Sequence, residues 1–485
     1  MSRGGRPLVV VGDSLLDRDL DGRVDRLSPE GPVPIVEDPR RHDRPGGAAL
    51  AAALAAGDGG GEVVLVTAIA ADEQGALLRG LLAAAGVEVI DLGLDGATPE
   101  KVRVRCDGRT LLRIDRGGNA GQPGPLNGRA RRAISRAGGV LVADYGRGVA
   151  ANGAIRAELA GLPAGVPLVW DPHPNGPAPV PGARLATPNE SESRRLVPDA
   201  GRLREGLAAP ADRGLAAVTE RGRILRDRWR AAAVAITLGE RGALLVEGEV
   251  PPRMMPARPV PGPDACGAGD RFAASAARLL ADGALPSEAV GGAVAAASAF
   301  VAAGGPYGPY GVRGDAGGGR RPPVAGIRGG SAAAVAAAVR SAGGTVVATG
   351  GCFDLLHAGH VATLRAAAAL GDCLIVCLNS DRSVRRLKGP GRPLVPERDR
   401  AAVLSALSCV DAVAIFDEPT PREALASLRP DVFAKGGDYA LSDLPEAELL
   451  ASWGGQAVIL PYLSGRSTTR ILQEANQHGH GHRRA

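Results

Sequence analysis

Asp264-Ala-Cys-Gly-Ala-Gly-Asp270 runs straight into an Ala-rich helical stretch, Arg271 to Ala281, and the reading of the fold turns on this segment. Glycine lets the backbone turn tightly enough to aim the N–H groups of Gly267, Ala268 and Gly269 at one point. At a helix N-terminus such a nest holds an anion, because unpaired donors and the helix dipole act together. A carboxylate at its rim, Asp270, suits taking the proton of a hydroxyl that attacks a phosphoryl group. The bare pattern Gly-x-Gly-Asp also fits an ordinary helix start, where Asp is favoured as a cap.

A second glycine turn lies downstream, in Thr349-Gly-Gly-Cys-Phe-Asp-Leu-Leu-His-Ala-Gly-His360. It follows a β-type run, Thr345-Val-Val-Ala-Thr349, and sets His357 and His360 three apart on one face of a helix start. Two imidazoles at a helix N-terminus suit a polyphosphate rather than the activation of a hydroxyl. Zinc is a weaker reading, since no Glu lies between them as in H-E-x-x-H and no third ligand is evident. Chance pairing on a helix surface is a third. Two such different turns in one chain imply two reactions on two domains.

Length agrees: 485 residues exceed one ordinary core. Hydrophobic content of 45% with 22% charged residues is that of a soluble globular chain. Every apolar run is interrupted short of the ~20 residues a membrane span needs. Met1 to Pro7 leads directly into Leu8-Val-Val-Val-Gly12, which reads as a first strand rather than a signal peptide. The six cysteines (106, 266, 352, 373, 377, 409) show no Cys-x-x-Cys spacing, so neither a zinc site nor a disulfide framework is indicated. A cytoplasmic enzyme is expected, and a net charge of +5 is no sign of nucleic-acid binding. Only three of the 57 basic residues are lysines, Lys101, Lys388 and Lys435, which marks them against an arginine-biased background.

From about residue 7 to 302, β-type runs (63–67, 139–143, 167–170, 233–237, 243–246) alternate with helical stretches (47–56, 73–85, 127–137, 269–282, 287–303). This predicts an α/β domain with a mostly parallel sheet. Residues 304–330, dense in Gly, Pro and Arg, read as a linker between a domain at 1–303 and one at 331–476. The second alternates helices (331–342, 358–370, 397–407, 421–428) with strands (345–349, 373–378, 411–416, 431–434, 457–460) and reads as a small doubly wound, Rossmann-like domain. The tail 477–485 is low complexity, with alternating His, and is expected to be disordered.

Gly12-Asp-Ser-Leu-Leu-Asp-Arg18, Ser28 to Glu37, Pro45-Gly-Gly-Ala48, Asp144-Tyr145, Asp171-Pro172 and Thr187-Pro-Asn-Glu-Ser-Glu192 occur in the order seen in ribokinase-like sugar kinases. The resemblance covers essentially all of 7–302. It implies a ribokinase-like α/β sheet domain with a small β lid, here residues 14–37 and about 99–115. It also implies Asp270 as base and Gly267, Ala268 and Gly269 as anion hole. Asn189, Glu190, Ser191, Glu192 and Gly239 would line the ATP site, with Asn189 and Glu192 organising Mg2+ on the nucleotide and no direct protein metal site. Asp13, Gly46 and Gly47 would hold sugar hydroxyls, and Lys101 and Arg113 an anionic sugar phosphate. Cys266 stands where that family has Thr or Val, a change of little volume.

The His-x-Gly-His turn resembles the cytidylyltransferase-like nucleotidyltransferases. Asn379-Ser-Asp381, Arg386-Leu-Lys-Gly389, Arg392-Pro, Glu397-Arg398, Lys435-Gly-Gly-Asp-Tyr439 and Ser467-Thr-Thr469 follow in the family's order. The resemblance implies that His357, His360 and Lys388 stabilise phosphate charge, and that Gly350, Gly351, Phe353, Asp354, Arg392, Ser467, Thr468 and Thr469 bind the nucleotide. Gly351 replaces a small polar residue or Asn.

Together the two halves resemble the bifunctional heptose-phosphate kinase/adenylyltransferases of bacterial ADP-heptose synthesis. That implies phosphorylation of heptose 7-phosphate to the 1,7-bisphosphate, then transfer of AMP from a second ATP to heptose 1-phosphate. It also implies Mg2+, small-molecule substrates, and a homodimer through the kinase domain. The residues alone reach a sugar-type kinase joined to a nucleotidyltransferase. Another sugar phosphate, another nucleotide, or a regulatory protein with one decayed site stays open at this level.

Overall fold

The computed structural model describes residues 5–59, 61–106, 109–117, 121–198, 214–248, 250–258, 260, 265–307, 331–437 and 444–461. Asp264, most of the 304–330 segment, Ser467 to Thr469 and the tail 477–485 lie outside these. The chain groups into two compact units, one of residues 1–198, 222–240 and 257–319, the other of 199–221, 241–256 and 320–485.

In chain order the first unit contributes β1 (Leu8–Gly12), β2 (Ser14–Arg23), β3 (Glu37–Gly47), β4 (Val63–Thr67), β5 (Glu88–Asp91), β6 (Glu100–Cys106), β7 (Arg109–Arg116), β8 (Gly139–Ala143), β9 (Leu168–Asp171), β10 (Leu185–Ala186) and β11 (Ala233–Thr237). Its helices are α1 (Ala48–Gly57), α2 (Glu73–Ala84), α3 (Gly128–Arg136), α4 (Gly153–Ala160), α5 (Glu190–Leu196), α6 (Leu215–Trp229, whose first turns group with the second unit), α7 (Ala268–Ala281) and α8 (Pro286–Ala302). The main sheet of this unit runs β11-β10-β9-β8-β1-β4-β5, all parallel. Its strands read as unbroken apolar runs because both faces are covered; all five residues of β1, of β4 and of β8 are buried. Each such Val or Leu contributes about 1.5–3 kcal/mol of burial. Helix α1, almost wholly Ala and Leu, packs on α7, and α7 on α8. Successive strands leave β1 in opposite directions, to β4 on one side and to β8 on the other, which opens a crevice at their carboxyl ends.

A separate four-stranded sheet, β3-β2-β6-β7, forms the lid. The expected lid of 14–37 is corrected here: β2 ends at Arg23, and its antiparallel partner is β3, running to Gly47. Pro-Arg-Arg-His-Asp-Arg-Pro conceals that strand from a hydrophobic pattern. Charge and Pro are tolerated because β3 is an edge strand in which only Gly46 and Gly47 are buried.

The second unit holds β12 (Ala243–Glu247), β13 (Arg253–Met255), α9 (Ala332–Ser341), β14 (Val346–Gly351), α10 (Ala358–Ala368), β15 (Cys373–Asn379), α11 (Asp381–Lys388), α12 (Glu397–Ser405), β16 (Ala412–Phe416), α13 (Arg422–Leu428), β17 (Val432–Gly436), α14 (Glu446–Ala451) and β18 (Gln456–Leu460). Strands β16-β15-β14-β17-β18 are parallel, and the order reverses about β14. Beside β18 lies β13, which pairs antiparallel with β12. The core under this sheet is drawn from Val335, Val346, Ile375, Leu425, Phe433 and Ile459 among others.

Candidate active sites

Asp13, directly after β1, is 3% exposed, and its carboxylate accepts three backbone N–H bonds from the loop after β8. Tyr145 (3.1 Å) and Arg147 (2.9 Å) donate to Oδ2, and Val149 (2.9 Å) to Oδ1. Its first task is therefore to shape that loop. Gly47, at φ 62, passes so close that a Cβ would lie 2.5 Å from the Asp13 carbonyl oxygen and 3.4 Å from Tyr145 Cδ2. A Cβ on Gly46 would meet Leu15 and the Asp17 carboxylate. The two glycines let lid and crevice meet.

Asp270 lies in the first turn of α7 and is buried. The helix is capped not by its side chain but by Gly267, in the left-handed region at φ 78, where no side-chain cap bond is made. Asp270 Oδ1 instead accepts the Tyr145 hydroxyl at 2.6 Å. A Cβ on Gly269 would meet nothing within 4 Å, whereas one on Gly267 would press on Leu50 at 3.0 Å. Of the N–H groups there, that of Ala268 donates to the Ala265 carbonyl (3.0 Å) and that of Arg271 to the Gly267 carbonyl (2.9 Å).

Burial pushes Asp270 up to about 7, opposed by the Tyr145 hydrogen bond, helped by Asp17 and opposed by Lys101. A protonated carboxyl cannot accept the proton of an attacking hydroxyl. Any proton transfer to Asp270 should therefore slow as pH drops through about 7 and level off above it, read as the acidic limb of kcat/KM. A profile flat from pH 6 to 8 would contradict Asp270 as the titrating base.

Lys101, on β6, has Nζ 5.2 Å from the Tyr145 ring centroid. Burial lowers its pKa, Asp17 opposes this, and Arg113, Arg103 and Arg147 lower it further. Four cations thus share one neighbourhood. Arg103 donates to Asp17 Oδ1 (2.8 Å) and to Cys266 Sγ (3.6 Å), tying the lid to the turn before α7. Arg147 holds the Gly117 carbonyl (3.1 Å), and Arg113 makes two 2.7 Å bonds to Asp115 on exposed β7.

Asn189 and Glu192 form the capping box of α5: Glu192 N donates to Asn189 Oδ1 (2.9 Å), and Asn189 N to Glu192 Oε2 (2.8 Å). Burial raises Glu192. It also raises Asp171 well above the usual range, with the charges of Glu192 and Asp270 adding to the effect. Glu190 pairs with Arg194, Ser191 follows it in the first turn, and Gly239, at φ 62, opens a short 3-10 turn after β11.

In the second unit His357 is the N-cap of α10 and accepts the His360 N–H at 3.4 Å. The two rings stack, with centroids 3.8 Å apart and planes at 22°, and Phe353 lies tilted against His360 at 5.2 Å. His360 Nδ1 is buried without a hydrogen-bond partner among the described residues. Such an orphan costs about 1–3 kcal/mol, which a phosphate oxygen would relieve. Burial pushes His360 down to about 4, with the charges of His357 and Lys388 adding and a bond to the Leu355 backbone opposing. The ring is thus neutral at pH 7, and an adjacent polyphosphate would favour its protonated form.

Asp354 and Arg392, expected separately at the nucleotide, pair with each other. Asp354 Oδ1 also takes the N–H groups of Leu394 (2.7 Å) and Val395 (3.1 Å). Burial pushes Asp354 up, but the Arg392 bond and these N–H groups hold it below the usual carboxylate range. Gly350 tolerates a Cβ at ordinary contact with Phe433 (3.6 Å), whereas at Gly351 it would press on the Phe353 ring at 3.1 Å.

Residues 6–310 match the pfkB family carbohydrate kinases, and 348–471 match the Cytidylyltransferase-like family. Over 97% of its length the chain is 55% identical to the Bifunctional protein HldE of Streptomyces coelicolor, of which it covers 96%. The chain belongs to the HldE family. The Bifunctional proteins HldE of Azorhizobium caulinodans (38% identical, covering 97% of this chain and 98% of that one) and Alcanivorax borkumensis (36%, 97% of each) extend the match. As a member of the HldE family the chain is a bifunctional enzyme, a carbohydrate kinase followed by a nucleotidyltransferase.

Of the residues anticipated in this HldE family member, the structure brings Asp13, Gly46, Gly47, Lys101 and Asp270 together around Tyr145, and His357, His360, Phe353 and Lys388 around the start of α10. Sequence reasoning missed Arg103 and Arg147, whose only signal was position beside motif residues. It also missed Arg400, which is 2% exposed and donates to Cys352 O (2.6 Å), Asn379 O (2.8 Å), Val395 O (2.9 Å) and Asp381 Oδ1 (2.7 Å), binding the end of β14 to the end of β15. No helix among the described residues is long and apolar enough to cross a membrane.

Proposed function

We propose that this enzyme makes ADP-heptose in two steps, one in each half. In the first, the C1 hydroxyl of heptose 7-phosphate attacks the γ-phosphorus of ATP. Its proton passes to Asp270 as the new O–P bond forms and the bond to ADP breaks. The anion nest at Gly267 to Gly269 receives the transferring group, and Lys101, Arg103, Arg113 and Arg147 grip the 7-phosphate. The observation that carries this reading is the pairing of one buried carboxylate at the start of α7 with that group of cations across Tyr145. A sugar phosphate offers a hydroxyl at one end and an anion at the other.

Mg2+ would arrive on ATP, where it neutralises phosphate charge. The mutually disfavoured carboxylates Asp171 and Glu192 fit such a cation. In the second step an oxygen of heptose 1-phosphate, already ionised, attacks the α-phosphorus of another ATP and pyrophosphate leaves. Without a hydroxyl proton to remove, the site needs donors rather than a base: His357, His360 and Lys388 serve, with the nucleotide over Gly350, Gly351 and Phe353. A phosphatase must remove the 7-phosphate between the steps, so the intermediate leaves the protein.

We assign the kinase to residues 1–303 and the adenylyltransferase to 331–476, joined by 304–330, in a cytoplasmic homodimer. The exposed Leu111, Leu112 and Ile114 on edge strand β7 favour pairing through the lids. Heptose 7-phosphate should elicit ADP release, and heptose 1-phosphate should elicit pyrophosphate release from ATP. Strong turnover with a hexose phosphate and none with the heptose would move the assignment to another sugar.

A further inference from the structure

Tyr145 links Asp13, Gly47, Lys101 and Asp270. Its N–H donates to Asp13 Oδ2 (3.1 Å), its ring lies against Gly47 and beneath the Lys101 ammonium, and its hydroxyl donates to Asp270 Oδ1 at 2.6 Å. We propose that Tyr145 is the positioning residue of the kinase base, holding Asp270 through Oδ1 so that Oδ2 faces the acceptor hydroxyl and takes its proton. The inference rests on Asp270 being that base.

A carboxylate in the first turn of a helix is otherwise free to rotate about its last bond, which is broad and roughly two-fold. A short bond from a phenol anchored by its own backbone removes that freedom. Small misplacements at a reacting centre are expensive, about 10²-fold in rate for ~1 Å. Burial, then the charge of Asp270, pushes the Tyr145 phenol well above its usual range, so it remains a donor throughout the working pH. The same bond favours the ionised form of Asp270. The other charged groups facing Asp270 are Asp17 on β2 and Asp171 at the end of β9, which disfavour its charge, and Lys101 on β6, which favours it.

The test is the kinase pH profile of Tyr145→Phe in the full-length enzyme, with adenylyl transfer by the same molecules as reference. The acidic limb of kcat/KM should move up by about one pH unit, which lowers kcat/KM at pH 7 roughly fivefold and closes above pH 9. KM for the sugar phosphate should stay within about twofold, and adenylyl transfer should be unchanged. Replacing Tyr145 by 3-fluorotyrosine, a stronger donor of nearly the same size, should move the limb the other way; it serves if the Phe variant does not fold. A limb that stays in place in the folded variants overturns the proposal, whatever happens to the absolute rate. Asp270→Asn measured alongside separates the two assignments. If it is inactive while the limb is unmoved, only the role of Tyr145 falls; if it is active, the base assignment itself falls.

Discussion

Asp270→Asn should abolish sugar phosphorylation, lowering the kinase rate by roughly 10²–10⁴-fold, and leave adenylyl transfer intact. The amide has the shape of the carboxyl and its oxygen can still accept the Tyr145 hydroxyl, so the start of α7 should hold its structure. What it loses is the ability to take a proton from the acceptor. Sugar-dependent ADP formation and pyrophosphate release, measured on one preparation, read the two activities apart. Near-normal kinase turnover in this variant would reduce Asp270 to a structural residue of α7.

His360→Ala should lower adenylyl transfer by at least two orders of magnitude with kinase activity unchanged. Loss of a preorganised donor to developing phosphate charge typically costs ~3–4 kcal/mol, about 10²–10³ in rate. The His360 ring also packs on His357 and Phe353, so truncation disturbs their stack. His360→Asn, which keeps a donor in a smaller side chain, should recover part of the rate. A metal centre predicts otherwise: stoichiometric zinc in the purified protein, lost on mutating either histidine, would overturn the phosphate assignment.

The glycine turn before α7 could be read from local chemistry, because the helix starts directly after Gly267 and nothing distant is needed to predict that geometry. Gly350 and Gly351, expected as a turn, are instead the last two residues of β14, paired with Cys377 and Leu378. The long buried strands β1, β4, β8, β11 and β15 were legible for a similar reason, since a central strand covered on both faces must be apolar throughout. Charged or short elements were not. Helix α11, Asp-Arg-Ser-Val-Arg-Arg-Leu-Lys, buries only Ser383 and Val384, and β3 is an edge strand held by pairing rather than by an apolar face.

By itself, then, the sequence determined the two α/β classes and the order of the two catalytic halves, and it placed Asp270 and the histidine pair each at a helix start. These depend on residues adjacent in the chain, where backbone conformation and periodicity are set. Only the tertiary structure decided what those groups face. Tyr145 reaches Asp270 across 125 residues and Arg103 reaches Cys266 across 163. Asp354 pairs with Arg392 across 38 residues. Which distant side chains meet follows from strand order, with the chain leaving β1 toward β4 on one side and β8 on the other. That order is a property of the assembled sheet, and no local pattern of hydrophobic and polar residues encodes it.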